Sequence, residues 1–271
     1  MKTTILVPVD FTPVSLNALN YACELSQIHE TEIVAVHLLD NKLLAEMHEQ
    51  AGHSEVMQKM MERMHDERVH KTTSDLSNFV SDLKEKYGDI IRPHLTPGSI
   101  YEAFNDIAAK YESSLIVMGT HGIIGMQHLA GSRAYKVVLN TSIPFLVVQN
   151  KRYKPINTIY FAFRDAEQFH AYAGHVSRLS HYFPGKFIIN IIAGDSNTVP
   201  ASLDHIADRI TIKNRKLNHI NVIASATTEG ADAVCISINE IDNIDTDIYG
   251  MTQDKILANR HEFPILCLPQ I

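Results

Sequence analysis

The stretch SLIVMGTHGIIGMQHLAGS, residues 114–132, decides how the chain is read. An apolar run, Leu115 to Met118, stops abruptly at Gly119, and Gly122, Gly125 and Gly131 follow within the next dozen residues. Apolar residues without alternation, bounded by glycine, mark a strand buried on both faces. In an open parallel sheet, ligands lie beyond the carboxyl ends of the strands, where such a loop begins. Glycine lets backbone approach an anion closely and turn its amides toward it. A helix entered near Ser132–Ala134 would add free N–H groups and positive dipole character. Gly131-Ser132 would then set an amide and a hydroxyl on a phosphate. The loop reads as a phosphate cradle or as a glycine-bearing surface loop, and spacing alone leaves the two level. It is not a GxxxxGK[ST] loop, since no Lys follows Gly131, nor a GxGxxG turn.

Outward from this loop, strand and helix signals alternate. TTILVPV (3–9), TEIVAVHLL (31–39), IIRPHL (90–95), SLIVMG (114–119) and IPFLVVQ (143–149) read as strands. Thr12 offers an N-cap and Pro13 suits a first helical turn, after which Val14, Ala18, Tyr21, Ala22 and Leu25 fall at helical spacing. Residues 41–87 read as one or two helices. Gly98-Ser99 opens another, carrying Ile100, Phe104, Ile107 and Ala108, and a further helix carries Ala134, Val137 and Val138. The expected class is α/β, with a parallel sheet covered on both faces.

The pattern then restarts. NKRYKPIN (150–157) is a polar, basic linker broken by Pro155. TIYFAF (158–163) echoes TILVPV, KFIINIIAG (186–194) echoes the second strand, EGADAVCIS (229–237) echoes YESSLIVMG, and KILANRHEFPILCLPQ (255–270) echoes KVVLNTSIPFLVVQ. In the shorter second copy, SLDHIADR reads as a small helix and ITIKN as the third strand. A repeat of this length implies two tandem copies of a five-stranded domain, residues 1–150 and 156–271.

Composition bounds the function. With 45% hydrophobic and 20% charged residues and a net charge of −7, the chain is of soluble globular type, with neither nucleic acid nor an anionic membrane as its main partner. No apolar run approaches the roughly 18 residues of a membrane span. The start, MKTTILVPVD, reads as a strand rather than a signal peptide. Cys23, Cys235 and Cys267 are scattered, which suits a reducing cytoplasm and neither a zinc ribbon nor a disulfide framework.

GTHG, eight residues, then GS, followed by a strand ending PFLVVQ, resembles the universal stress protein family, as do the opening ILVPVDFTPVS and HLLD after the second strand. The resemblance covers both halves and implies an adenine nucleotide alpha hydrolase-like, Rossmann-like domain in tandem. In the ATP-binding branch the motif runs G-x2-G-x9-G-[ST]; this chain has Gly119-x2-Gly122-x8-Gly131-Ser132, one residue shorter. Carried over by position, Asp10 accepts from adenine or ribose, Pro8 and Leu38 line the base pocket, and Met118, Gly119, Gly122, Gly131, Ser132 and Arg133 hold ribose and phosphates. The resemblance implies ATP or another adenine nucleotide, with or without Mg, in a cytoplasmic stress-response module. No catalytic residue is assigned, so at most weak ATP hydrolysis is expected. A ligand-free interaction scaffold and an adenylating enzyme are the rival readings. Family edge strands pair between copies, which implies a pseudo-dimer within this chain; a homodimer and an unidentified protein partner are further expectations.

The second copy departs from this chemistry. Arg164, followed by Asp165, stands where Asp10 stands, and the glycine loop becomes SINEIDNIDTDIYGMT (237–252), keeping only Gly250. Glu240, Asp242, Asp245 and Asp247 would repel a triphosphate by several kcal/mol in a shielded cleft, so this copy is expected not to bind ATP. Met57, Met60, Met61 and Met64 share one helix face and are expected to pack in a core or an interface. His48, His53, His65 and His70 flank them without metal-ligand spacing, and no metal site is assigned. His121 belongs to the glycine loop; His37 is expected to be a satisfied strand-end imidazole and Cys23 a small core residue.

Overall fold

The computed structural model describes residues 4–29, 31–39, 55–97, 100–119, 141–148, 153–215, 222–237 and 264–269. Strand β1 (Thr4–Pro8) leads into α1 (Pro13–His29), capped by the Thr12 hydroxyl, which accepts from the Ser15 amide at 3.2 Å. There follow β2 (Glu32–Leu39), α2 (Glu55–Tyr87), β3 (Ile91–Pro97), α3 (Ile100–Lys110), β4 (Ser113–Gly119) and β5 (Phe145–Val148). The second half repeats the theme with β6 (Thr158–Phe163), α4 (Ala166–Tyr182), β7 (Lys186–Ile191), a 3-10 helix (Ala201–Arg209), β8 (Ile210–Asn214), α5 (Val222–Thr228), β9 (Ala233–Ser237) and β10 (Ile265–Leu268).

All ten strands form one sheet in the order β3-β2-β1-β4-β5-β10-β9-β6-β7-β8. Each half has the same internal order, parallel throughout, and the sheet reverses direction only where β5 meets β10. There Ile265 faces Val147, Leu266 faces Leu146 and Cys267 faces Phe145. Both strands are buried on both sides, so their apolar runs could not stand at an open edge. The second-half strands at 158–163 and 210–214 fall where the sequence places them.

Two apolar layers cover the sheet. One joins α1 to α4 across the mid-line, with Ala18, Leu19 and Ala22 in the same cluster as Phe169, Tyr172 and Val176. The Ser114 and Tyr182 hydroxyls bond across the same boundary, and Tyr21 meets Tyr153 edge-on at 5.0 Å. The other layer lies under α3 and α5 and contains Leu6, Val36, Phe145, Tyr160 and Val234. Among the described residues no helix is long and apolar enough to cross a membrane.

The structure adds detail at two expected helices. Residues 201–209 form a 3-10 helix, and the reason is in the spacing: only Leu203 and Ile206 are buried, three residues apart, which matches three residues per turn. Of the methionine stripe only Met61 is buried; Met57, Met60 and Met64 are exposed on α2. The helix signals at 41–54 and 134–138 and the caps at 98–99 lie outside the described residues.

Cys23, Cys235 and Cys267 are all buried and free, and burial pushes Cys23 and Cys267 up to about 12 and Cys235 upward as well. A thiol reagent at neutral pH is therefore expected to label none of the three in the folded protein and all three after denaturation, read by mass spectrometry. Burial, with a smaller contribution from Arg178, lowers His175 from 6.5 to about 4, and its Nδ1 has no partner among the described residues. The unfolded chain takes up that proton first. Stability should fall as pH drops from 6.5 toward about 4. Urea titrations of His175→Gln across that window should show a flatter pH dependence than the parent.

Candidate functional site

Pro8, at the last position of β1, has no N–H to give to a neighbouring strand. The β1–β4 ladder ends at Leu6 opposite Ile116, whereas β4 continues alongside β5 as far as Gly119 opposite Val148. In the second half Ala162 replaces Pro8, and the corresponding ladder runs one residue further, to Phe161 opposite Cys235. The strand order 3-2-1-4-5 places the topological switch point between β1 and β4, so the early-ending ladder lies where doubly wound sheets take ligands.

Asp10 stands just beyond the end of β1, at that switch point. Its Oδ1 accepts from the Thr12 amide at 3.1 Å and from the Thr12 hydroxyl at 2.6 Å. The Thr12 hydroxyl in turn caps α1 through Ser15, and the Ser15 hydroxyl donates to the Thr12 carbonyl at 3.0 Å. One carboxylate oxygen is thus committed to the turn. The other, Oδ2, is buried and has no hydrogen-bond partner among the described residues. A buried carboxylate oxygen without a donor is costly, and it suits a ligand that donates.

The turn itself is strained. Phe11 has φ of 63°, the left-handed region, which a bulky L-residue adopts at about 1–2 kcal/mol. Its ring lies 4.4 Å from that of His37 and meets Phe79 of α2 edge-on at 5.5 Å, and these contacts hold the conformation. His37 Nδ1 lies 2.7 Å from the Val9 carbonyl. A carbonyl only accepts, so Nδ1 carries a hydrogen and donates it. His37 is the satisfied strand-end imidazole expected of it, half-buried rather than fully enclosed.

Gly119 closes the far side for a reason that spacing did not show. A Cβ there would lie 2.3 Å from Val14 Cγ1 and 2.9 Å from the Val14 carbonyl oxygen. The first turn of α1 sits directly on the end of β4, and only glycine fits. Met118 is buried beside it, Pro8 is buried on β1 and Leu38 is half-buried near the end of β2. The fold therefore gathers Pro8, Asp10, Leu38, Met118 and Gly119 at the carboxyl ends of three adjacent strands. Gly122, Gly131, Ser132, Arg133 and His121 lie outside the described residues.

Residues 1–149 match the sequence profile of the Universal stress protein family. The chain belongs to the universal stress protein family. A universal stress protein of Methanocaldococcus jannaschii is 27% identical over 149 residues, which cover 55% of this chain and 82% of that protein. Universal stress protein G of Salmonella typhimurium is 25% identical over 151 residues, 55% of this chain and all of that one. Among solved structures, a universal stress protein from Archaeoglobus fulgidus superposes over 98% of this chain and 96% of its own, with a TM-score of 0.57 at 13% identity. That likeness shows the fold alone.

The second switch point of this universal stress protein, between β6 and β9, is built differently. Gln168 stands where Val14 stands and Ser237 where Gly119 stands. The Gln168 side chain accepts from the Arg164 amide at 2.6 Å and donates to the Ser237 hydroxyl at 3.0 Å, a buried bridge from the end of β6 to the end of β9. Asp165 caps α4 by accepting from the Gln168 amide at 2.8 Å and pairs with Arg164. Those two contacts, the amide first, hold its carboxyl below the usual range. Where the first half leaves a carboxylate oxygen without a partner among the described residues, the second joins its strand ends side chain to side chain. The acidic loop at 238–250 lies outside the described residues.

Proposed function

We propose that the first half, residues 1–150, binds an adenine nucleotide at the carboxyl ends of β1 and β4, and that the chain is a non-catalytic, ATP-binding stress-response module. The second half, 156–271, supports or regulates it without binding nucleotide. The observation that carries this reading is Asp10: one oxygen locked to Thr12, the other buried at the switch point with no donor among the described residues. An adenine amino group or a ribose hydroxyl would supply that donor. Pro8 and Leu38 would border the base and Met118 and Gly119 the ribose, while Gly122, Gly131, Ser132 and Arg133 would receive the phosphates, Arg133 adding a cation. Mg, if it accompanies ATP, would neutralise phosphate charge. Bound nucleotide would favour one conformation of the chain over another and so set its affinity for a protein partner.

Denaturing the purified protein and analysing the supernatant for released adenine nucleotide, then titrating ATP into the emptied form, tests this. Saturable binding that Gly122→Asp abolishes is expected, since a carboxylate in the phosphate loop repels the ligand. A refolded protein that binds no adenine nucleotide would instead point to the ligand-free scaffold. Sustained turnover with ATP and Mg would overturn the non-catalytic assignment.

A further inference from the structure

A second set of unpartnered buried groups lies in the other half, away from either switch point. Tyr160 of β6 and Asn190 of β7 are fully buried and Ser225 of α5 nearly so. Both amide atoms of Asn190 lack hydrogen-bond partners among the described residues, and the Tyr160 and Ser225 hydroxyls have none there beyond each other. They share one face. Tyr160 and Ile188 pair across β6 and β7 and belong to the layer under α5. Asn190, two residues beyond Ile188, lies on that same side. It sits opposite Ala162 on one neighbour and Lys213 on the other. At the half-exposed margin, Lys213 and Arg215 of the β8 edge both bond the Glu229 carboxylate. The Lys213 bond and the two cations hold that carboxyl below its usual range, so it stays ionised.

The first half shows that the fold does not need this polarity. At the positions of Tyr160, Asn190 and Ser225 it carries Leu6, Val36 and Ile107, all buried. At those of Lys213 and Glu229 it carries His94 and Tyr111, bonded to each other at 3.0 Å. Three positions that are buried and apolar in the first half carry polar residues in the second, and at two marginal positions a Lys–Glu pair stands where the first half has a His–Tyr pair. Unsatisfied polar groups are not retained in a layer that packs well without them unless something completes their bonds.

We propose that this layer of the second half binds a small organic monocarboxylate. Asn190, Tyr160 and Ser225 supply neutral donors to its oxygens. Burial raises the Tyr160 hydroxyl above its ordinary value, which keeps it protonated and donating. Lys213 and Arg215 against Glu229 leave one positive charge among these groups, matching one carboxylate and disfavouring a phosphate dianion. Ala162 and Ala226, small and buried, flank the donors and suit a short alkyl group.

The test uses the full chain, without nucleotide, titrated with sodium formate and sodium acetate against sodium chloride at equal ionic strength. The Asn190 side-chain amide resonance, identified by its disappearance in Asn190→Val, is the reporter. Saturable movement with formate or acetate but not chloride is expected, together with an apparent Kd raised about tenfold or more in Tyr160→Phe or Ser225→Ala. A parallel thermal-shift titration should show stabilisation by acetate that Asn190→Val removes. An amide that moves no further with formate or acetate than with chloride overturns the proposal, as does a crystal grown in formate with only water on Asn190. The wild-type titration decides the matter even if Asn190→Val does not fold. Its failure leaves the nucleotide reading untouched.

Discussion

Asp10→Asn is expected to weaken ATP binding by about 10- to 100-fold, the effect of losing a hydrogen bond to a charged group. The substitution separates the two duties of this side chain. Asparagine keeps an oxygen for the Thr12 amide and hydroxyl, so the turn and the start of α1 persist. What changes is Oδ2, the buried oxygen that lacks a donor, which becomes an NH2 and meets a donating ligand group with a second donor. Isothermal titration with ATP gives the affinity, and a melting curve checks that the fold is retained. Asp10→Ala should lose both duties, weakening binding further and lowering the melting temperature. Unchanged affinity in Asp10→Asn, with the fold intact, would mean that the nucleotide does not reach this carboxylate.

Gly119→Ala is expected to destabilise the protein by about 1–3 kcal/mol, the range for forcing extra volume into a packed site. The Val14 side chain could rotate away from the added methyl group, but the Val14 carbonyl oxygen, 2.9 Å from where it would stand, belongs to the first turn of α1. Relief therefore requires that turn to move, and Thr12 and Asp10 with it. Urea denaturation should show a lower midpoint, and ATP affinity should fall alongside. The second half offers a contrast. Ser237→Gly adds no clash; it removes the partner of Gln168 and should cost about 1 kcal/mol. Equal stability of Gly119→Ala and the parent would show that α1 is not seated on β4 in solution.

How much of this was readable beforehand depends on the range of the interaction. The strands were legible because burial on both faces leaves runs such as Leu115 to Met118 and Phe145 to Val148 without alternation. The start of α1 was legible because Thr12 and Pro13 act on their own neighbourhood. The repeat marked Asp10 and Arg164 as counterparts, and so showed that the two switch points carry different residues. What escaped were contacts between residues far apart in the chain. The Val14–Gly119 contact joins α1 to β4, and the Gln168–Ser237 bridge joins α4 to β9. Nothing local announces either. Yet the two pairs stand at matching positions of the repeat, and comparing the halves pair by pair would have exposed them. Of the methionine stripe Met61 lies in the core of the chain, while a shared helix face alone does not say what lies against the other three. The small helix at 201–209 was legible but its type was not, because Leu203 and Ile206 alone do not separate a period of 3 from one of 3.6.

The asymmetry between the two switch points is tested most directly by photolabelling the full chain with an azido-adenine nucleotide and mapping the modified peptides. One competable label per chain, on peptides carrying residues 8–12, 38 or 118–133, is the predicted result. Competable label on the peptides around 164–168 or 237, or none anywhere, would contradict it.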